Sequence, residues 1–103
     1  MENTFTVNQE GTELKVILTG QLGSVNAPSL MDEINKYKNQ GITKVSFDAT
    51  KLTYIASSGI RVVIFAKQKL GGNPEIEFVN CNKEICGVFE MTGIAEYISF
   101  VRL

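Results

Sequence analysis

Two adjacent serines and a glycine, Ser57-Ser58-Gly59, are the residues of this chain best placed for chemistry. They stand where a short polar connection gives way to an apolar run over 57–70, a pattern that predicts the start of a helix. A serine oxygen can cap free backbone N–H groups there. The same N–H groups and the positive end of the helix dipole can instead receive a phosphate. Residue type alone favours capping.

Neither serine has the neighbours that catalysis would need. The chain contains no histidine, so the usual base for a serine nucleophile is missing. No lysine lies beside the pair, as a serine–lysine arrangement would require. Gly71-Gly72 is followed by Asn-Pro and lacks the Lys and Ser/Thr of a phosphate-binding loop. We therefore predict a protein that is not an enzyme, with no catalytic residue and no cofactor.

The cysteines, Cys81 and Cys86, are not spaced as a CxxC motif. Without histidine a zinc site would lack its usual ligands, so no metal is predicted. Cys86 lies among apolar residues and is expected to be a reduced core thiol. The polar start, MENTFTVNQEG, lacks the apolar core of a signal peptide. We therefore expect a cytoplasmic protein. A disulfide would need an oxidising compartment, which this start does not support.

Size and charge exclude other functions. The 103 residues predict a single domain, 1–103, with one modest core. A net charge of −1, with lysines interspersed among acids, gives no electrostatic case for a nucleic-acid partner. No stretch approaches the roughly 18 consecutive apolar residues of a membrane span.

Strands and helices alternate around the serines. Three consecutive apolar residues, Val16-Ile17-Leu18, are expected to be buried on both faces of their strand. The order β-β-α-β-α-β-α, with a last short strand, predicts an α/β fold whose mixed β-sheet has helices packed on it. In chain order we predict strands over 4–8 and 14–18, a loop over 20–26, a helix from Pro28 that stops at Gly41, a strand over 44–48, a helix over 57–70, a strand over 75–79, a helix capped by Asn82 and closed by Gly93, and a tail, 97–103, that either adds a last short strand or packs on the core.

The segment 47–69, FDATKLTYIASSGIRVVIFAKQK, resembles the signature of the STAS domain, the fold of bacterial anti-sigma factor antagonists. In that family a strand ending in Asp leads through a Leu-containing turn to Asp-Ser-Ser-Gly or Asp-Ser-Thr-Gly and an apolar helix. The element order extends the resemblance over essentially the whole chain. The matching residues are Asp48, Leu52, Ile55, Ser57, Ser58, Gly59, Ile60, Val62 and Val63.

This resemblance implies regulation by partner switching. The unphosphorylated antagonist would bind an anti-sigma factor serine kinase and so release a sigma factor. The kinase would phosphorylate it and break the complex, and a serine phosphatase of the metal-dependent type would reset it. The phosphorylated position maps to Ser58, with Ser57 as the second choice. The residues expected to meet the partner are Ser24, Val25, Asn26, Ser57, Ser58, Gly59, Ile60 and Arg61.

Four positions depart from the family pattern and leave alternatives open. Ala56 replaces the usual Asp before the serines, and Arg61 replaces a small residue. In the loop after the second strand, where family members often carry acidic residues, this chain has Gln21 and Gly23. Ala56 and Arg61 favour a scaffold or subunit of a signalling or lipid-transport assembly that binds a protein without phosphorylation. A further alternative is a sensor of anions or nucleotides at the same helix start.

Overall fold

The computed structural model describes residues 5–103 and confirms the predicted order of elements. Thr4, the first residue of the predicted first strand, lies outside the described residues. A 3-10 turn, Ile94–Tyr97, follows the last helix. In chain order the elements are β1 (Phe5–Glu10), β2 (Glu13–Leu22), α1 (Ala27–Asn35), β3 (Lys44–Ile55), α2 (Ser57–Lys69), β4 (Glu75–Val79), α3 (Lys83–Thr92) and β5 (Ile98–Val101).

Within residues 5–103 the strands form one mixed sheet in the order β1-β2-β3-β4-β5. β1 and β2 are an antiparallel hairpin, and every later neighbour is parallel. A helix joins each parallel pair, because parallel neighbours need a crossover connection. Right-handed crossovers between successive neighbours place all the helices on the same face of the sheet. The fold is therefore two layers, with the core between the sheet and its helices.

An aromatic row fixes α3 on the sheet. Phe47 of β3 and Phe78 of β4 are register partners, and their rings stack with centroids 5.0 Å apart. Phe89 of α3 lies over them, with its ring centroid 4.8 Å from that of Phe78. All three side chains are fully buried. Burying such large rings contributes strongly to stability.

β2 is buried on one face and not on both as predicted. Leu14, Val16 and Leu18 point into the core, whereas Ile17 is 43% exposed. The prediction was wrong because a run of apolar residues does not show that a second layer covers the sheet. Here the described helices cover only one face, and alternate residues of a strand point to opposite faces.

β2 and β3 run beyond their predicted ends. Their pairing continues to Leu22 and Ile55, with register shifts between Ile17 and Thr19 and between Gly20 and Gln21. Such irregularities interrupt the alternation of apolar and polar residues without ending the hydrogen-bonded pairing of the strands. The alternation in the sequence therefore ends before the strands do. The predicted loop over 20–26 is thereby reduced to residues 23–26.

Three helix ends follow their local sequence signals, whereas α1 ends at Asn35 and not at the predicted stop, Gly41. Over residues 36–38 the backbone N–H groups bond three residues back instead of four, which ends the α-helix. Pro28 lies in the first turn of α1, as predicted. The Asn82 side chain caps α3, where its Oδ1 accepts a hydrogen bond from the Ile85 backbone N–H at 2.9 Å. Gly93 follows α3 with a left-handed φ of 79°, a conformation that glycine adopts readily. These predictions are confirmed.

Cys81 and Cys86 form a disulfide, which corrects the expectation of a reduced thiol at Cys86. Their Cα atoms are 6.4 Å apart, a separation that a disulfide can span. Cys81 follows β4 and Cys86 lies in α3, so the bond joins the end of the strand to the helix. The expectation of a reduced thiol rested on the apolar neighbours of Cys86 and on a reducing cellular compartment. Neither argument shows how close the two cysteines lie in the fold.

The face of the sheet without helices carries a network of charges. Glu77 of β4 accepts a hydrogen bond from Ser46 Oγ at 2.8 Å, and its carboxylate lies 3.1 Å from Lys44 Nζ. Burial alone would raise the pKa of Glu77, but the hydrogen bonds from Ser46 and Lys44 outweigh it and lower this pKa. The hydrogen bond with Glu77, followed by its charge, raises the pKa of Lys44. Both shifts favour the charged pair.

Glu77→Gln should destabilise the protein at neutral pH by up to about 1 kcal/mol, since it removes an ionic hydrogen-bond acceptor. Because the folded pKa of Glu77 is below its ordinary value of 4.5, its contribution is present above that value. It should be lost as the pH falls through the folded pKa. Urea unfolding of both proteins from pH 7 to pH 3 tests this. A stability difference that stays constant over this range would contradict the assignment.

Candidate functional site

The ends of β2 and β3 bring the two predicted site segments together. Leu22 and Ile55 are register partners at these ends. The Ala56 backbone N–H donates to the Leu22 carbonyl at 2.9 Å. The loop over residues 23–26 therefore begins beside the start of α2. The helices that follow, α1 and α2, pack against each other.

Gly59 allows α2 to approach this junction closely. A Cβ atom at this position would lie 2.7 Å from the Leu22 carbonyl oxygen and 2.7 Å from Ile55 Cγ1. Real Cβ atoms essentially never come this near to such atoms. Glycine is therefore required here for the distance between backbone segments, whereas its φ angle is ordinary.

Asn26 shapes the loop after β2. Its Oδ1 accepts from the Gly23 backbone N–H at 2.9 Å, and its Nδ2 donates to the Gln21 carbonyl at 2.7 Å. The side chain is half-buried and occupied by these bonds. Val25, in contrast, is 94% exposed. Asn26 thus holds the loop, and Val25 is the residue that the loop presents to solvent.

The serines do not cap α2. Its N-cap residue is Ala56, which has extended backbone angles and no side-chain acceptor, and Ser57 and Ser58 are the first residues of the helix. Within residues 5–103, neither serine hydroxyl forms a hydrogen bond to the protein. The capping role favoured by residue type is therefore wrong, and both hydroxyls are free. Ser57 is exposed, and Ser58 is half-buried.

We call the surface formed by Ser24, Val25, Tyr54, Ser57, Ser58 and Arg61 the serine face. Tyr54 is 55% exposed and pairs in register with Gln21 near the ends of β2 and β3, from which the loop and α2 continue. Sequence reasoning missed it. Its signal was a large aromatic residue immediately before the buried Ile55, which places it on the opposite side of the strand.

Gly59 and Ile60, which were predicted to meet the partner, are not part of the serine face. Gly59 is buried and Ile60 is only 7% exposed. The reason is geometric, because a helix presents one side to the core, and these residues lie on that side. They support the surface from beneath.

Arg61 is exposed and lies one turn along the helix from Ser58. Within the described residues its guanidinium makes no ion pair. Residues three apart on a helix are neighbours, so Arg61 is within side-chain reach of position 58.

Other kinds of site find little support in the described part of the chain. Residues 5–103 contain no cluster of three or more His, Cys, Asp or Glu side chains that could hold a metal. No helix there is long and apolar enough to span a membrane. A cleft of about 440 Å³, lined in part by Val63, Lys67 and Tyr97, lies towards the other end of α2. It is separate from the serine face.

The chain is similar to known proteins over nearly its whole length. The STAS domain family model matches residues 5–102. BtrV of Bordetella bronchiseptica, named as an anti-sigma factor antagonist, is 34% identical over 90 residues, which cover 86% of this chain and 78% of BtrV.

Solved structures share the fold at low identity. The unphosphorylated form of the anti-sigma factor antagonist SpoIIAA superposes with a TM-score of 0.82 and 17% identity, covering 94% of this chain and 87% of that one. An anti-sigma factor antagonist from Mycobacterium paratuberculosis superposes with a TM-score of 0.80 and 18% identity, covering 95% and 84%. The phosphorylated form of the Bacillus protein SpoIIAA gives 0.74 at 18% identity, covering 94% and 90%.

Gly59→Ala should destabilise the protein by about 1–3 kcal/mol, because the added methyl group overlaps backbone and core atoms. Gly87→Ala is the matched control within α3, where a Cβ would meet nothing within 4 Å. It should stabilise the protein by about 0.5–1 kcal/mol, since alanine favours a helix. Urea unfolding measures both. Equal changes in the free energy of unfolding would show that the close contact with Leu22 and Ile55 is not what requires glycine at position 59.

Ala56→Asn should stabilise the protein by about 1 kcal/mol, because asparagine at this position can accept a hydrogen bond from the first turn of α2. Ala56→Val adds bulk without an acceptor and is the control. Thermal and urea unfolding compare the three proteins. If the Asn variant is no more stable than the Val variant, the N–H groups in the first turn of α2 do not gain a hydrogen bond from a cap at position 56.

Proposed function

This chain belongs to the STAS domain family, and on that basis we propose that it is an anti-sigma factor antagonist acting by partner switching. The observation that carries the proposal is the serine face, where two unbonded hydroxyls at a helix start lie beside exposed apolar side chains. The similarity to BtrV supports the same function. On this proposal the chain is a binding protein rather than an enzyme. It acts in the cytoplasm, where reducing conditions oppose the Cys81–Cys86 disulfide.

In the unphosphorylated state, Val25 and Tyr54 anchor the partner. They are among the exposed large apolar side chains of the described residues. Val25 lies in the loop after β2, and Tyr54 lies three residues before Ser57. Aromatic and apolar side chains near the centre of an interface commonly supply most of its binding energy. The partner is an anti-sigma factor serine kinase, which brings its own nucleotide, so the chain needs no cofactor.

Phosphorylation at Ser58 would end this binding. A phosphate adds about two negative charges at neutral pH and a tightly held hydration shell. The start of α2 tolerates negative charge because of its free N–H groups and dipole. The docked kinase does not, since it would have to desolvate the phosphate against its own surface. A metal-dependent serine phosphatase removes the phosphate and restores binding.

A second candidate is a scaffold that binds its partner constantly. Ala56 and Arg61 favour it, because they replace the residues usual in the switching members of the family. The scaffold uses the same serine face but makes no use of the hydroxyl at position 58. The two functions therefore differ in how binding responds to a negative charge at that position.

Ser58→Asp should fold normally and lose its partner, because a carboxylate suits the first turn of a helix but opposes docking. We would use wild type and Ser58→Asp as paired baits in lysate of the host cell and identify retained proteins by mass spectrometry. A serine kinase held by wild type and lost by the variant is the expected result.

Two further baits separate the alternatives. Ser58→Ala cannot be phosphorylated and should hold the kinase even when ATP is added. Ser57→Asp places the same charge one residue earlier and shows which serine is sensitive. Retention of one partner by wild type and Ser58→Asp alike would establish a scaffold and remove the switch at residue 58. Circular dichroism of each bait controls for folding.

A further inference from the structure

Acidic residues are absent from the two chain segments that build the serine face. Residues 14–31 and 49–74 contain no Asp or Glu, although the chain has 11 acids in all. The second segment holds four cations, Lys51, Arg61, Lys67 and Lys69. The overall charge of −1 therefore conceals a local excess of positive charge.

Among the described residues Arg61 forms no ion pair. Its guanidinium is exposed. Neither α1 nor α2 has an acid in its first turn or a side-chain cap. Asp48 of β3 is occupied locally, because its Oδ1 accepts from the Thr50 backbone N–H at 3.0 Å and from Thr50 Oγ1 at 2.6 Å.

We propose that the partner of the serine face presents an acidic surface around an apolar pocket. Arg61 meets a carboxylate of the partner, and Val25 and Tyr54 fill the pocket. This inference rests on the proposed function only in taking the serine face as the partner interface. Complementary charge sets the orientation and speed of such an encounter, and the apolar contacts hold the complex.

The chemistry of the surface favours a protein over a nucleic acid. Proteins that bind nucleic acid tightly commonly neutralise about 6–10 phosphates. The serine face contributes one cation, Arg61, and it carries the apolar Val25, which is 94% exposed. A mixed apolar and weakly cationic surface matches an acidic, apolar protein surface instead.

An acidic partner also explains how one phosphate would produce a strong response. Phosphate on Ser58 would change the charge beside Arg61 from positive to net negative. The encounter with carboxylates would then change from attraction to repulsion. Arg61, within reach of position 58, would pair with the phosphate and be withdrawn from the partner.

Two matched pairs of variants test the inference. Ala56→Asp and Ala56→Asn place side chains of nearly equal size at the helix cap, and they differ in charge. Arg61→Glu and Lys69→Glu make the same charge change at the serine face and at the other end of α2. The probe is host-cell lysate passed over these baits and over wild type at 0.05 M and about 0.5 M salt, where screening is far stronger.

We expect one partner to be retained by wild type, Ala56→Asn and Lys69→Glu, and lost by Ala56→Asp and Arg61→Glu. With that protein purified, Arg61→Glu should weaken binding about tenfold at low salt, Arg61→Lys should restore most of it, and added salt should reduce the contrast. Ala56→Asp keeps a helix cap, so its loss of binding cannot be ascribed to a destabilised α2.

Failure of the inference and failure of the proposed function give different patterns. If Arg61→Glu and Ala56→Asp retain a partner that Ser58→Asp loses, the switch holds and the acidic partner surface is wrong. If they lose a partner that Ser58→Asp retains, the acidic surface holds and the switch is wrong. Retention by all baits, or by none, overturns the inference.

Discussion

The serine face depends on one close contact, that of Gly59 with the Leu22 carbonyl. The carbonyl already accepts a hydrogen bond from Ala56, so it fixes where the chain leaves β3. Because residue 59 has no side chain, the first turn of α2 can lie directly on the paired ends of β2 and β3. The loop after β2 and the start of α2 thereby become one surface. A bulkier residue would separate the two segments while leaving every predicted element in place.

Charges serve stability and recognition on different surfaces of this fold. On the open face of the sheet, Lys44 contacts the carboxylates of Glu13 and Glu77, and Lys44 and Glu77 favour the charged form of each other. Such a pair is satisfied within the chain and has little attraction left for another molecule. On the serine face Arg61 has no such partner among residues 5–103, so its electrostatic attraction remains available for binding.

The sequence predicted the fold better than the site, and the difference has physical causes. Element order follows from local signals, such as Pro28 at the start of α1 and Gly93 at the end of α3, which act through their own backbone. Whether a strand residue is exposed depends on whether helices cover its side of the sheet, which the strand's own sequence does not show. Ile17 was therefore predicted to be buried, although it lies on the face that no described helix covers. To predict which residue caps α2, one must know where β3 ends. β3 continues beyond the point where apolar and polar residues stop alternating, so that pattern does not show its end. Tyr54 was missed for the same reason.

The lack of a side-chain cap on α2 leaves N–H groups of its first turn available to another molecule. Capping the helix would satisfy its free N–H groups and stabilise the protein, and Asp, Asn or Ser at position 56 would suffice. α3 has such a cap in Asn82, so this fold accommodates one. At α2, Ala56 leaves those groups unsatisfied beside Ser58, where a phosphate or a partner can bind to them. Functional surfaces are commonly less stable than they could be, because the groups that bind are those left unsatisfied in the free protein. Because Ala56 replaces the Asp usual at this position in the family, the uncapped start is a departure of this chain, and it accords with a scaffold that binds through these N–H groups at least as well as with a switch.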